Sequence, residues 1–219
     1  MIRAVLFDLD GTLTDSKPGI LACFRYAFSR LAETGGPSVS LPSDEDLNFI
    51  VGPPLRQSFA RFADAAFKER LMGYYLERYQ PIGAFENSVY EGVAAALDLI
   101  AARGARLHVA TSKNEKDARV ILDHFGLSDR FDSINGARID GSRGAKREII
   151  GDTLAAHGLG PGDAAMIGDR EFDMLGAKTV GVAAIGALWG YGSREELVAA
   201  RADALAATPL EAAQIALTR

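Results

Sequence analysis

The run Phe7-Asp8-Leu9-Asp10-Gly11-Thr12-Leu13-Thr14 constrains this chain more than any other stretch of it. It follows an apolar, β-like run, Ala4-Val5-Leu6-Phe7, which carries two carboxylates to the carboxyl end of an expected strand. Gly11 then permits a sharp turn, because a residue without a Cβ adopts positive φ at little cost. Strand geometry of period two places Asp8 and Asp10 on one side, where two anions require a cation or a shared proton. Asp-Gly is also a strong hairpin-turn signal, so a β-hairpin is the competing reading. What lies downstream decides against it.

A chain of 219 residues is long enough for one full core, or for a core domain with a smaller insertion. Its apolar share of 48% and charged share of 24% are those of an ordinary soluble globular protein. The net charge of −5, with no long basic run, argues against a nucleic-acid polymer or an anionic membrane as partner. No apolar stretch reaches the length of a membrane span, and the N-terminus lacks the basic-then-apolar pattern of a signal peptide. The expected location is therefore cytoplasmic. Cys23 is the single cysteine, which rules out an intramolecular disulfide and argues against a thiolate metal cluster. Flanked by Ile20 and Phe24 in a helix-like stretch, it reads as a core residue.

Strand-like runs recur at Leu107–Ala110, Phe131–Ile134, Ala164–Ile167 and Val180–Ile185. Helical patterns separate them: Val93, Leu97 and Ile100; Val120, Ile121 and Leu122 before Gly126; Ile149, Ile150 and Leu154 before Gly158. This alternation predicts βαβ units and a doubly wound parallel sheet in an α/β fold, with right-handed crossovers placing helices on both faces. The alanine-rich tail over 199–216 reads as a helical end of the domain.

The alternation breaks between residues 16 and 85. Ile20, Phe24, Ala27, Phe28 and Leu31 share one helical face; Leu55, Phe59 and Phe62 continue the spacing, as do Leu71, Tyr75 and Tyr79. Ser43-Asp44-Glu45-Asp46 has the form of a helix N-cap, and Gln80-Pro81-Ile82-Gly83 that of a return connection. The expected organisation is an α/β core over 1–15 and 86–219, with an all-helical cap domain inserted over 16–85.

Ligands of open α/β sheets bind beyond the carboxyl ends of the strands, and the chemistry-bearing residues fall there. Asp8 and Asp10 end the first strand, and Thr111-Ser112-Lys113 the second. Lys146 opens the helix after the third, and Gly168-Asp169-Arg170 with Asp173 follows the fourth. In this order, Asp-x-Asp-Gly-Thr at 8–12, Thr111, Lys146 and Gly-Asp-x-x-x-Asp at 168–173, the set resembles the haloacid dehalogenase superfamily. Within it, the match is to the phosphatase branch with a helical cap after the first strand, and it spans nearly the whole chain.

The resemblance implies a hydrolase of phosphomonoesters of small metabolites. Two carboxylates about 4 Å apart repel by about 4 kcal/mol at an effective dielectric near 20, and a phosphate dianion adds to this. A divalent cation is then required, and oxygen-only ligands with phosphate suit Mg²⁺. The resemblance implies that Asp8 attacks phosphorus and that Asp8, the backbone carbonyl of Asp10, and Asp169 hold the metal. It further implies that Asp10 protonates the leaving alkoxide and later activates water. Gly11, Thr111, Ser112 and Lys146 would surround the phosphoryl oxygens, Lys146 also offsetting Asp8. Asp173 reads as a partner of a metal-bound water or of Lys146, or else as a helix N-terminal acid.

Other residues keep two readings. Asp169 could instead cap the following helix, Thr111 could cap a helix while also binding phosphate, and Lys113 could sit near phosphate or in solvent. Asp15 could cap the next helix or steer a hinge. Arg56, after Gly52-Pro53-Pro54, could meet the non-phosphate part of a substrate or simply open a helix. Trp189, in Leu188-Trp189-Gly190-Tyr191-Gly192, reads as a packing residue. His108, His124 and His157 lack metal-ligand spacing and are given no chemistry. The Thr-Ser-Lys, Gly-Asp-Arg and Trp-Gly-Tyr-Gly segments resemble 5′-nucleotidase-like members, with phosphoglycolate phosphatase the alternative. A sugar-phosphate mutase and a non-catalytic phospho-acceptor are further rivals, and a monomer or homodimer is expected.

Overall fold

The apolar run Ala4–Phe7 forms strand β1, and all four of its side chains are buried. Burial on both sides is what a strand covered by helices requires. This computed structural model describes residues 2–52, 55–138 and 142–219, with the side chains of Asn48 and Arg56 also outside the described set. The chain divides into two compact units, 1–15 with 89–219, and 16–88.

In chain order, β1 is followed by the two-residue strand β2 (Thr14–Asp15), helices α1 (Lys17–Glu33), α2 (Leu55–Phe59) and α3 (Lys68–Arg78), and the two-residue strand β3 (Ser88–Val89). Then come α4 (Val93–Ala102), β4 (Arg106–Asn114), α5 (Glu115–His124), β5 (Ser133–Ala137), α6 (Lys146–Ala156) and β6 (Ala164–Gly168). The chain ends with α7 (Glu171–Thr179), β7 (Ala183–Ala187), α8 (Arg194–Ala199), β8 (Ala204–Ala206) and α9 (Pro209–Leu217).

In the larger unit, six parallel strands lie in the order β5-β4-β1-β6-β7-β8. The chain moves outward from β1 through β4 to β5, then returns to the other side of β1 with β6. The winding direction reverses between β1 and β6, which opens a crevice at their carboxyl ends. Asp8 and Asp169 each follow one of these two strands. Ala4 and Leu6 of β1 pack with Ile149 and Leu154 of α6, Met174 of α7 and Leu197 of α8 in one buried cluster. Val5 and Phe7 point to the opposite face, and α4 and α9 pack against each other and the sheet.

In the smaller unit, α1 buries the expected face, Ile20, Phe24, Ala27, Phe28 and Leu31. Phe24 stacks on Phe59 with ring centroids 4.9 Å apart. Cys23 is fully buried, and the Arg78 guanidinium donates to its Sγ at 3.2 Å.

Several elements differ from the sequence expectations. The tail over 199–216 is not one helix: α8 stops at Ala199 and Ala204–Ala206 adds a parallel edge strand beside β7. Alanine's helix preference is weak enough for tertiary pairing to override it. Phe131 lies outside β5, where it ends a 3₁₀ turn over Ser128–Arg130. Val180 and Val182 precede β7 in the turn closing α7. In the smaller unit, α2 ends at Phe59, before Phe62. Ser43 accepts a hydrogen bond from the Asp46 amide as a cap would, but only turns and a 3₁₀ segment at Asn48–Ile50 follow. Tyr79–Gly83, where the return connection is expected to begin, prolongs α3 as a π turn.

Candidate active site

Asp8 stands one residue beyond β1, in a loop whose backbone folds back on itself. The Leu9 amide donates to Asp8 Oδ1 at 2.7 Å, and the amides of Leu13 and Thr14 donate to the Leu9 carbonyl. Gly11 has φ +84°, and a Cβ there would lie 2.2 Å from Asp169 Oδ2. Positive φ and close approach both demand glycine at this point.

Lys146, the first residue of α6, reaches back under β1 with a side chain only 3% exposed. Its ammonium sits 3.0 Å from Asp8 Oδ1, 2.7 Å from Asp173 Oδ1 and 3.0 Å from the Ala110 carbonyl. Three N–H donors thus meet three acceptors. Burial alone would lower the Lys146 ammonium, but Asp173 and Asp8 outweigh it and hold the group above its ordinary value.

Asp169 accepts from the Thr12 hydroxyl at 3.0 Å on one oxygen and from the Tyr191 amide at 2.9 Å on the other. Asp173 Oδ2 accepts from the Arg170 amide at 3.0 Å. Carboxylate oxygens of Asp8, Asp169 and Asp173 all lie within 4.8 Å of one another, and all three residues are buried. One buried lysine faces three buried carboxylates. Burial and the Asp173 charge push Asp8 up to about 6 against the pull of Lys146. Burial, with Asp173 and Asp8 adding to it, raises Asp169 well above the usual carboxylate range. This excess of negative charge on oxygen-only donors fits a hard divalent cation.

The Asp10 carboxylate lies outside the cluster formed by Asp8, Asp169 and Asp173. Strand geometry ends at Phe7, and the Asp10 carboxylate pairs with Lys113, Nζ to Oδ2 2.9 Å. Lys113, left between phosphate and solvent by its sequence, is 9% exposed in its side chain and belongs to this pair. The carboxylates brought together are therefore those of Asp8, Asp169 and Asp173, not of Asp10. Thr111 is buried on β4, and its hydroxyl oxygen accepts from the Lys113 amide at 3.2 Å. Ser112 is half-buried beside it. The side chain of Arg56 lies outside the described residues.

The loop after β7, which the sequence marks through Trp189 as a packing residue in a segment resembling other family members, supplies contacts to the site that the sequence does not assign. Trp189 Nε1 donates to the Thr12 carbonyl at 3.0 Å, and the Tyr191 hydroxyl donates to Asp15 at 2.9 Å. A Cβ on Gly190 would meet Asp169 Cβ and the Gly11 carbonyl at 2.3 Å each; one on Gly192 would meet the Asp169 carbonyl at 2.0 Å. The alternation of glycine with aromatic residues over 189–192 was the available signal. It marks backbone that must lie flat against Asp169.

The family of haloacid dehalogenase-like hydrolases matches this chain over residues 5–187. The chain is a haloacid dehalogenase-like hydrolase. This hydrolase is 40% identical over 195 residues to a 5′-nucleotidase of Pseudomonas aeruginosa, covering 88% of the chain and 86% of the relative. It is 34% identical over 194 residues to a phosphoglycolate phosphatase of Xanthomonas campestris, covering 86% and 84%. It is 39% identical over 190 residues to the tyrosine-protein kinase PtkA of Mycobacterium tuberculosis, covering 87% of the chain but only 63% of that relative. The crystal structure of a predicted phosphatase from Clostridium acetobutylicum matches the whole of both chains with a TM-score of 0.92 at 36% identity. The enzyme is a phosphatase of this family. Among the described residues, no helix is long and apolar enough to cross a membrane.

Proposed function

We propose that this hydrolase removes phosphate from a small phosphomonoester, a nucleoside 5′-monophosphate, through a phosphoryl group carried on Asp8. The observation that supports the reading most is Asp8 itself. It is buried at the crevice between β1 and β6, oriented by the Leu9 amide and Lys146, within reach of Asp169 and Asp173. The 5′-nucleotidase relative supports the substrate class. Phosphoglycolate is the second reading, supported by the name of the Xanthomonas relative.

An oxygen of Asp8 attacks phosphorus, and the bond from phosphorus to the ester oxygen breaks. Asp10 gives the leaving oxygen its proton, then takes one from the water that attacks the aspartyl-phosphate, and inorganic phosphate departs. The Thr111 hydroxyl donates to a phosphoryl oxygen. With its three donors already engaged, Lys146 acts on the phosphate by charge and holds Asp8 in line. Thr12 and Tyr191 keep Asp169 in one orientation. Mg²⁺ would be held by Asp8, Asp169 and the Asp10 carbonyl, with Asp173 alongside; when bound it would neutralise the carboxylates and the phosphate dianion.

The test is phosphate release from nucleoside 5′-monophosphates, 2-phosphoglycolate, hexose phosphates and p-nitrophenyl phosphate, with Mg²⁺ and with excess EDTA. Metal-dependent release that favours nucleotides is the expected result. A clear preference for 2-phosphoglycolate would replace the substrate, and no release from any would overturn the reading.

A further inference from the structure

Lys113 sits where two site groups meet. Its backbone amide donates to the Thr111 hydroxyl oxygen, and its ammonium lies 2.9 Å from Asp10 Oδ2. The backbone is anchored on the next residue, Asn114, whose side chain caps α5 by accepting from the Lys116 amide at 2.8 Å. Both partners of the ion pair are nearly enclosed, at 9% and 13% exposure. Asp117, on the first turn of α5, adds a second negative charge facing Lys113 and Asp10. The two oxygens of Asp10 are not alike. Oδ2 takes the ammonium, whereas Oδ1 is buried with no hydrogen-bond partner among the described residues. A buried carboxylate oxygen without a partner is costly, and in a native protein such an atom calls for an explanation.

We infer that Lys113 is the positioning residue for Asp10, fixing the carboxylate through Oδ2 so that Oδ1 is the oxygen presented to the ester oxygen that leaves. The inference rests on the reading of Asp10 as acid and base given above. A lysine suits the task because its ammonium is a compact charge that holds one oxygen. The pair draws β1 and β4 into one constellation: the nucleophile and acid follow β1, while the group that aims the acid ends β4.

A role through Asp10 differs from a structural role, or from direct phosphate binding, in its dependence on the leaving group. Phosphoryl transfer from p-nitrophenyl phosphate needs little proton donation, because nitrophenolate is a good leaving group; an alkyl phosphate needs much. The measurement is kcat/KM, which reports the step that releases the alcohol. It is made on p-nitrophenyl phosphate and on a nucleoside 5′-monophosphate, for wild type, Asp10→Asn, Lys113→Met and the double variant. Asp10→Asn is expected to reduce the alkyl ester by about a hundredfold or more and the aryl ester far less. Lys113→Met is expected to show the same tilt, with at least about a tenfold larger loss on the alkyl ester. Once Asp10 is Asn, Lys113→Met should cost less than about twofold more.

Equal losses on both esters, or an undiminished further loss in the double variant, would overturn the inference. If Asp10→Asn shows no tilt, the reading of Asp10 as acid falls as well. A tilt in Asp10→Asn without one in Lys113→Met removes the role of Lys113 alone. Lys113→Gln, which keeps a donor at that place, is read in the same way and stands in if the methionine variant does not fold.

Discussion

The Tyr191 amide donates to Asp169 Oδ2 at 2.9 Å, so a carboxylate at the end of β6 is aimed by the loop that follows β7. The same tyrosine donates through its hydroxyl to Asp15, seven residues after Asp8. One loop therefore braces the surroundings of both aspartates.

That bracing leaves no room for a methyl group. Gly190→Ala would place a Cβ 2.3 Å from both Asp169 Cβ and the Gly11 carbonyl. Thermal and chemical denaturation should show a loss of about 2–3 kcal/mol, with phosphatase activity falling further than stability explains. Gly73→Ala, on the exposed side of α3 with nothing within 4 Å of the new Cβ, should instead gain about 0.5–1 kcal/mol.

Replacing the nucleophile should separate folding from chemistry. Asp8→Asn keeps an oxygen to accept from the Leu9 amide and removes one charge from a crowded set of carboxylates. Turnover should fall by about 10⁴-fold or more, with an unchanged circular dichroism spectrum. Mass spectrometry of rapidly quenched wild-type enzyme should detect a phosphoryl group on Asp8, absent from the variant. A variant retaining a tenth of the activity would remove Asp8 from the reaction.

Added Mg²⁺ should raise the melting temperature, and EDTA should reverse it. Binding to the folded state alone contributes about 2.7 kcal/mol at a hundredfold excess over Kd. The gain should grow with pH. Asp8 is raised to about 6, above its value of about 3.9 in an unfolded chain. Its protonated form therefore stabilises the metal-free fold below pH 4, and that contribution is lost as pH rises through 6. Melting curves with and without Mg²⁺ between pH 5 and 8 should diverge as pH increases; parallel curves would contradict the site.

His108 works in the opposite direction. Its ring is fully buried on β4 and hydrogen-bonded to Ser133, 4.3 Å from the ring of His157. Burial, with His157 adding to it, pushes it down to about 4. An unfolded histidine titrates near 6.5, so between these values the unfolded chain binds more protons and stability falls as pH falls. The wild-type advantage over His108→Gln should therefore shrink by about 2–3 kcal/mol between pH 7 and pH 4. A constant difference would exclude the ring as its source.

Much of the fold was legible because it is written in residue type. Ala4–Phe7 and Ala164–Ile167 are continuous apolar runs, as strands buried on both sides must be, and their carboxyl ends announce themselves by aspartates. Asp8, Lys146, Asp169 and Asp173 stand out at strand ends and helix starts; Lys146 lies within hydrogen-bonding reach of Asp8 and Asp173, and oxygens of the three carboxylates lie within 4.8 Å of one another. Thr12, inside the first motif, and Gly190 and Tyr191, inside the Trp-Gly-Tyr-Gly segment, were visible as residues but not as partners of Asp169. They contribute a hydroxyl, an absence of volume and a backbone amide, none of which betrays its partner through sequence spacing. Lys113 was ambiguous because a lysine beyond a threonine is equally at home in water. Strand β8 was hidden because three residues of alanine and leucine form a strand only when β7 is already beside them.

The central place of β1 sets an order of events during synthesis. It pairs with β4 on one side and with β6 on the other, Ala4 lying opposite Arg106 and Ala164. At about 5–20 residues per second, a ribosome emits the strand bearing the nucleophile roughly ten to thirty seconds before its second neighbour exists. Until then four apolar residues and the loop behind them have no complete place to lie. The nucleophile's strand therefore stays half-paired until β6 follows it out.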